Sequence, residues 1–215
     1  MAENLFETSY DITKKSRLRR FYDSNKIFIF SALLISFICL GSFFYYLESQ
    51  KKEKIRLSEN YIKAKIYIEG KNNEQALKTI KEIINANDST YSTLAFFLIL
   101  DANLISDKRE IIKLFDHLLS NNKYDKELKN LLIFKKIMFS TGSVTESELL
   151  QTSKTLLNSE TLWKPHLLLL LGDYFVSKNE KLKAKEFYGQ ILTIKNLRQD
   201  FYENAQSKLR LIAND

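Results

Sequence analysis

Residues 171–188, LGDYFVSKNEKLKAKEFY, contain the clearest pattern of paired helices in the chain. Gly172 and Phe175 lie before the polar turn SKNEK, and Ala184 and Tyr188 lie after it, at spacings that place each pair on one helical face. Small residues let two helices approach closely, and aromatic side chains fill the space that remains between them. The stretch therefore predicts a helical hairpin with Gly172 facing the partner helix.

The same layout recurs along the chain with a period near 36 residues. Polar turns begin, each 36 positions after the last, at Gly70, Ser106, Gly142 and Lys178. A second set of helix starts falls near Arg56, Thr90, Lys126, Trp163 and Gln199. This period is typical of tetratricopeptide-type repeats, whose hairpins stack because a single hairpin cannot bury its own apolar face. We predict an all-α, tetratricopeptide-like solenoid of four hairpins over residues 48–215, with a C-terminal capping helix from Gln199 to Ile212.

Composition supports this fold class and excludes several kinds of site. The 215 residues include five Gly and one Pro, against roughly 15 and 11 at average usage, so turn-rich sandwiches and barrels are not expected. The chain has neither G-x-G nor G-x-x-x-x-G-K, which excludes the nucleotide-binding fingerprints. The single cysteine, Cys39, excludes an intrachain disulfide and a cysteine-based zinc site.

An uncharged stretch, IFIFSALLISFICLGSFFYYL, runs from Ile27 to Leu47. As a helix it is ~31 Å long, which matches a hydrocarbon core of ~30 Å. A buried core helix and a cleaved signal peptide are the alternatives. A signal peptide usually has a shorter apolar region followed by a small-x-small cleavage site, whereas Tyr45 and Tyr46 stand at the end of this run. We predict an uncleaved transmembrane helix at residues 27–47.

Basic residues on the two sides of this span predict its orientation. Six precede it, namely Lys14, Lys15, Arg17, Arg19, Arg20 and Lys26, and four follow it, namely Lys51, Lys52, Lys54 and Arg56. By the positive-inside rule, residues 1–26 are predicted to be a cytoplasmic basic tail, and residues 48–215 are predicted to be an exported, periplasmic domain. The net charge of +7 is scattered along the chain, so nucleic-acid binding is not expected.

Residues that carry catalysis or metal binding are scarce. His117 and His166 are 49 positions apart, and the chain contains neither H-E-x-x-H nor G-x-S-x-G. We therefore expect no enzyme activity, no metal and no cofactor. Thr145 and Glu148 form the sequence of a capping box. Trp163, the only tryptophan, is expected to pack in the core against the following hairpin, with ligand stacking as the alternative.

What remains for function is a binding surface, since helical solenoids bind extended peptides or partner helices on their concave face. Aromatic side chains dominate binding energy at interfaces. The candidate anchors are Tyr67, Tyr91, Phe97, Tyr174 and Phe175. The pattern alone does not separate these five from core residues, which is their default interpretation, so the partner-binding residues stay unassigned.

The order of segments along the chain resembles the YfgM-like family over nearly its whole length. A basic tail and one span come first, and they are followed by EGKNNEQAL, STYSTLAFFLILDANLISDKRE, DKELKNLLIFKKIMFSTG and LGDYFVSKNEKLKAKEFY. The most specific pieces are the stretch from Thr90 to Ala95 and the stretch from Gly172 to Ala184. The resemblance implies a single-span protein of the bacterial inner membrane with a tetratricopeptide-like periplasmic domain. It also implies an ancillary subunit near the Sec translocon that works with periplasmic chaperones on exported or unfolded polypeptides.

Two functional hypotheses follow. In the first, the protein is a membrane-anchored interaction module, ancillary to the Sec translocon, that binds exported polypeptides as a chaperone. In the second, it is a scaffold for an envelope complex, such as one of cell division or cytochrome assembly, because such complexes use the same plan of one anchor and a repeat domain.

Overall fold

The computed structural model describes residues 17–214, except for the side chains of residues 17–20, 23 and 214. In this part of the chain all regular structure is helical, which confirms the all-α class. The helices are α1 (Arg17–Glu69), α2 (Asn73–Asn85), α3 (Tyr91–Asp101), α4 (Lys108–Asn121), α5 (Lys126–Ser140), α6 (Glu146–Leu157), α7 (Lys164–Ser177), α8 (Lys181–Leu192) and α9 (Gln199–Asn214). Of the predicted tail, residues 1–16 lie outside the described part, and Arg17 already belongs to α1.

The chain divides into two compact units between Arg56 and Leu57. The first unit contains the predicted span, residues 27–47, within a helix that is long and apolar enough to cross a membrane. Among the described residues it is the one helix that meets this criterion, and none of its most apolar 18-residue window is buried. The alternative of a buried core helix is therefore wrong.

The helix start predicted near Arg56 is also wrong, because α1 continues without a break to Glu69. The physical reason lies in the residues that follow the span. Positions 48–69 contain no Gly and no Pro, and they are rich in Lys, Glu and Ile. No residue there interrupts the backbone hydrogen bonds of the helix, so α1 continues until the polar turn that begins at Gly70.

The later helix starts agree with the sequence prediction, and side chains cap several of them. The capping box at α6 is confirmed. The Thr145 hydroxyl accepts a hydrogen bond from the Glu148 amide at 3.3 Å, and the Glu148 carboxylate accepts one from the Thr145 amide at 2.9 Å. Asn72, Asp107 and Asp125 accept from backbone amides in the first turns of α2, α4 and α5. These contacts satisfy amides that helix geometry leaves unpaired.

Asparagine takes the place of glycine at the ends of several helices. Asn87, Asn103, Asn179 and Asn196 have φ of 56°, 49°, 61° and 55°, in the left-handed region where Asn is tolerated better than most side chains. After α7, the Glu180 amide donates to the Phe175 carbonyl at 2.9 Å, which is the hydrogen bond of a Schellman motif. This use of asparagine explains how so many turns form with five glycines in the chain.

The buried side chains of the second unit form two clusters that meet in α5. In the first, the rings of Phe96 and Phe115 contact edge to face with centroids 4.5 Å apart. The second is centred on Phe175 and Tyr188, both fully buried. Leu132 of α5 belongs to the first cluster, whereas the next buried residues of the same helix belong to the second.

Side-chain contacts also join helices that are not consecutive in the chain. Ion pairs connect α2 to α4, α6 to α8, and α7 to α9, through Lys81–Glu110 at 2.8 Å, Lys183–Glu146 at 2.6 Å and Lys208–Asp173 at 2.6 Å. Surface ion pairs of this kind contribute little to stability. They do show that alternate helices are neighbours in these parts of the unit.

Candidate partner-binding surface

Three rings from α5, α7 and α9 and one from the residue that precedes α7 form a contiguous group, here called the ring cluster: Phe134, Trp163, His166 and Phe201. Phe134 stacks on Trp163 with centroids 5.8 Å apart and planes 21° apart. His166 lies 5.1 Å from Trp163 and 5.8 Å from Phe134, and it meets Phe201 edge to face at 4.6 Å. Stacked and edge-to-face geometries are those that aromatic pairs prefer.

The ring cluster has a buried base and an accessible top. Phe134 and Phe201 are only 9% and 8% exposed, whereas Trp163 and His166 are half-buried. Beside them Leu162 is 73% exposed. A partly exposed aromatic surface with an exposed leucine at its side suits apolar side chains of a partner, because aromatic rings contribute large contact area at little cost in side-chain entropy.

A single residue of α5 holds the turn that carries Trp163. The Glu127 carboxylate accepts hydrogen bonds from the Thr161 hydroxyl at 2.7 Å and from the Leu162 amide at 3.2 Å. The Glu127 backbone carbonyl accepts from the Trp163 indole N–H at 3.1 Å. His166 Nδ1 in turn donates to the Leu162 carbonyl at 3.2 Å. The exposed rings are therefore oriented before any partner arrives, which lowers the entropic cost of binding.

A buried amide lies one turn before Phe134 on the same face of α5. Asn130 is 7% exposed, and its Nδ2 finds no hydrogen-bond acceptor among the described residues. Leaving such a donor unsatisfied costs about 1–3 kcal/mol. Within the described part of the chain, Asn122 Oδ1 is the other buried side-chain atom without a partner. The Asn130 side chain therefore retains hydrogen-bonding capacity close to the ring cluster.

Charged groups of both signs lie beside Phe201 and in a cleft at the start of α7. The Arg198 guanidinium lies 5.4 Å from the centre of the Phe201 ring and pairs with Asp200 at 2.7 Å. A cleft of about 560 Å³ lies between the start of α7 and the end of α8, and it is lined by Glu160, Thr161, Lys164, Pro165, Gln190, Thr193, Ile194, Lys195 and Asn196. Mixed charge of this kind accommodates acidic and basic segments of a partner alike.

The five aromatic anchors considered from sequence do not come together in one surface. Phe175 is fully buried and Tyr174 is 9% exposed, and the two contact each other in the core. Tyr67, Tyr91 and Phe97 are half-buried on α1 and α3. The ring cluster was not predicted. Only a weak sequence signal indicates it: Phe134, His166 and Phe201 lie on α5, α7 and α9, which are first helices of predicted hairpins and the capping helix, and Trp163 immediately precedes α7.

The structure also assigns the isolated residues that the sequence singled out. Trp163 packs against a core cluster that includes residues of the following hairpin, where it contacts His166, and it also stacks on Phe134 of the preceding hairpin. His117 Nε2 lies 3.0 Å from Asn87 Oδ1 on the surface of α4. His166 belongs to the ring cluster. Among the described residues no three His, Cys, Asp or Glu side chains are grouped so that they could hold a metal ion.

No protein-family model matches this chain, and no curated protein or solved structure shows significant similarity to it. The resemblance to the YfgM-like family stays a prediction from the residues that carry it.

Proposed function

We propose that the protein is a membrane-anchored interaction module that binds extended or partly unfolded polypeptides through the ring cluster, without chemical turnover. In this proposal residues 27–47 anchor it in a bacterial inner membrane and hold its C-terminal domain in the periplasm. Its partners are the Sec translocon, periplasmic chaperones and exported chains. The observation that carries the proposal is the pair of oriented, partly exposed rings of Trp163 and His166 beside the buried rings of Phe134 and Phe201.

The fold that we propose for the C-terminal domain is a tetratricopeptide-like solenoid of stacked hairpins. The contacts between alternate helices support it, because stacked hairpins bring the first helices together in one row and the second helices in another. Lys183–Glu146 joins two second helices, and the stacking of Trp163 on Phe134 joins two first helices. In such a stack the ring cluster lies across the row of first helices, where an extended chain can run from one hairpin to the next.

Anchoring also supports a binding role with modest intrinsic affinity. A tether raises the effective concentration of the domain toward chains that emerge at the same membrane, so that even micromolar affinity suffices for capture. The mixed charges near the ring cluster tolerate clients of varied sequence, and affinity of this kind falls only modestly with salt.

The test uses two exposed leucines of the same domain. A photo-crosslinking amino acid replaces Leu162, beside the ring cluster, or Leu182 of α8, which is 79% exposed and serves as the matched control. In the full-length protein in bacterial membranes, position 162 is expected to capture translocating chains or translocon subunits several-fold more than position 182. Equal capture at the two positions would contradict the proposed site.

A second measurement uses Trp163, because the only tryptophan of the chain lies in the ring cluster. Addition of an unfolded, tryptophan-free polypeptide to the detergent-solubilised protein is expected to shift its emission to shorter wavelength, since binding removes water from the partly exposed ring. If crosslinking instead captures one folded partner in fixed stoichiometry, the protein is a scaffold for an envelope complex and not a chaperone.

A further inference from the structure

The part of α1 that follows the predicted span has two chemically different faces. Leu47, Lys51 and Lys54 are spaced i, i+4 and i+7, which places them along one side of the helix. All three are exposed. Phe44, 67% exposed, lies on the same side within the span. This side therefore changes from apolar to cationic within about two turns.

Around the rest of the helix, acidic and basic residues pair with one another. Arg56 donates to both carboxylate oxygens of Glu53, at 2.5 and 2.9 Å, and Lys52 lies 3.9 Å from Glu48. The hydrogen bonds from Arg56 lower the pKa of Glu53, which keeps this carboxylate charged and paired. Glu48 and Glu53, the acidic residues that follow the span, are thus paired with Lys52 and Arg56.

Lys51 and Lys54 have no such partner. No carboxylate of a described residue lies within 4.0 Å of either ammonium group. Measured along the helix, they follow Leu47 by ~6 Å and ~10 Å. Lysine side chains near a span extend back toward the membrane surface, and the Debye length at physiological salt is about 8 Å. Both charges therefore lie within reach of lipid phosphates at that surface.

We propose that Lys51 and Lys54 form a binding site for the anionic phospholipid headgroups of the leaflet at the C-terminal end of the span. The site selects phosphatidylglycerol-type lipids over zwitterionic ones, because two ammonium groups that pair with no carboxylate of the described residues face the headgroup. The inference rests on the membrane anchoring in the proposed function and is independent of polypeptide binding and of the orientation of the span.

The test measures lipid selectivity of the full-length protein in phosphatidylcholine bilayers. Spin-labelled phosphatidylglycerol and spin-labelled phosphatidylcholine report, by electron paramagnetic resonance, how often each lipid contacts the protein. We expect phosphatidylglycerol to be preferred at low salt and the preference to weaken at 1 M salt, where the Debye length is about 3 Å. K51Q/K54Q is expected to lower the preference by up to about fivefold for each lysine.

The matched control is K63Q/K65Q, which removes two exposed lysines nearer the end of α1 and the same amount of charge. It is expected to leave the preference unchanged. A preference that survives K51Q/K54Q, and so comes from Lys26 or the other basic residues before the span, overturns the proposal. Abolition by excess glycerol phosphate also overturns it, because the ligand is then a soluble phosphate and not a bilayer surface.

Flotation with pure phosphatidylcholine vesicles separates this inference from the function on which it rests. A protein that floats but shows no preference for phosphatidylglycerol overturns the lipid site alone and leaves the anchored binding module intact. A protein that does not float with vesicles overturns both.

Discussion

The phenol ring of Tyr188 in α8 lies directly against the backbone of Gly172 in α7. A Cβ atom added at Gly172 would be 2.3 Å from Tyr188 Cε1 and 2.7 Å from Cζ, far inside van der Waals contact. Both residues are buried. The glycine is therefore required by the close approach of two helices and not by an unusual backbone angle, which confirms that Gly172 faces the partner helix of its hairpin.

We expect Gly172→Ala to lower the free energy of unfolding by about 1–3 kcal/mol, because the added methyl group forces α7 and α8 apart. The loss is expected even though alanine is the better helix former by about 1 kcal/mol. Urea unfolding of the full-length protein in detergent, followed by circular dichroism, measures the change.

Gly189→Ala is the matched control, since Gly189 also lies inside a helix, α8, and has no atom within 4 Å of an added Cβ. This substitution is expected to raise the free energy of unfolding by up to about 1 kcal/mol. If the two variants shift stability in the same direction, the close approach at Gly172 does not exist in solution.

Alkaline pH is expected to destabilise the fold through Tyr188. Burial, and then the hydrogen bond to Asp173, raise the pKa of its hydroxyl well above the usual value of about 10. The unfolded chain therefore loses this proton at a lower pH than the folded protein does. Above pH of about 10 the free energy of unfolding falls as pH rises, by at most about 1.4 kcal/mol per pH unit for one proton.

Tyr188→Phe isolates this contribution because it keeps the ring against Gly172 and removes the titrating group. The variant is expected to show a shallower loss of stability between pH 10 and 12 than the wild-type protein does, in parallel urea titrations. Identical slopes for the two proteins would mean that the hydroxyl of Tyr188 titrates normally in the folded state.

Thr145→Ala removes the N-cap of α6 and is expected to cost about 1 kcal/mol of stability, because an amide in the first turn loses its acceptor. Thr152→Ala, the same substitution within the same helix, is the control. The Thr152 hydroxyl only donates to the carbonyl of Glu148 one turn earlier, so its loss is expected to be nearly neutral. Thermal melts of both variants distinguish capping from a general effect of losing threonine.

The predicted topology is tested with a reporter that is active only in the periplasm, fused after Asp215. We expect activity, because six basic residues before the span outnumber four after it and favour a cytoplasmic N-terminus. Mass spectrometry of the mature protein is expected to find residues that precede the span. A mature N-terminus after Leu47 would show instead that the apolar segment is a cleaved signal peptide.

Much of the local structure could be predicted from single residues and their spacing. The capping box of Thr145 and Glu148, the polar turn at Gly70 and the helix starts near Lys126 and Gln199 all depend on neighbours within four positions. The start predicted near Arg56, in the same set as those near Lys126 and Gln199, failed because the residues around it favour continued helix. Here the repeat period and the local helix propensity disagreed, and the local helix propensity determined the backbone conformation.

The ring cluster shows what local reasoning misses. Phe134 and His166 are 32 positions apart, and His166 and Phe201 are 35 apart. Whether their rings meet depends on the rotation of α5, α7 and α9 about their axes and on how closely the helices pack. The five aromatic residues considered from sequence had the same chemistry, but two of them, Tyr174 and Phe175, rotate into the core.

By itself the sequence determined the helical class, the apolar helix that can cross a membrane and the positions of most turns. These features follow from hydrogen bonds and side-chain contacts between residues that are close in the chain. Such local interactions can be inferred from the residue types within one helical turn. Only the tertiary structure decided that Tyr188 covers Gly172, that Asn130 is buried without an acceptor and that Trp163 stacks on Phe134. Those contacts depend on helix rotation and crossing, which many weak packing interactions between distant residues determine together.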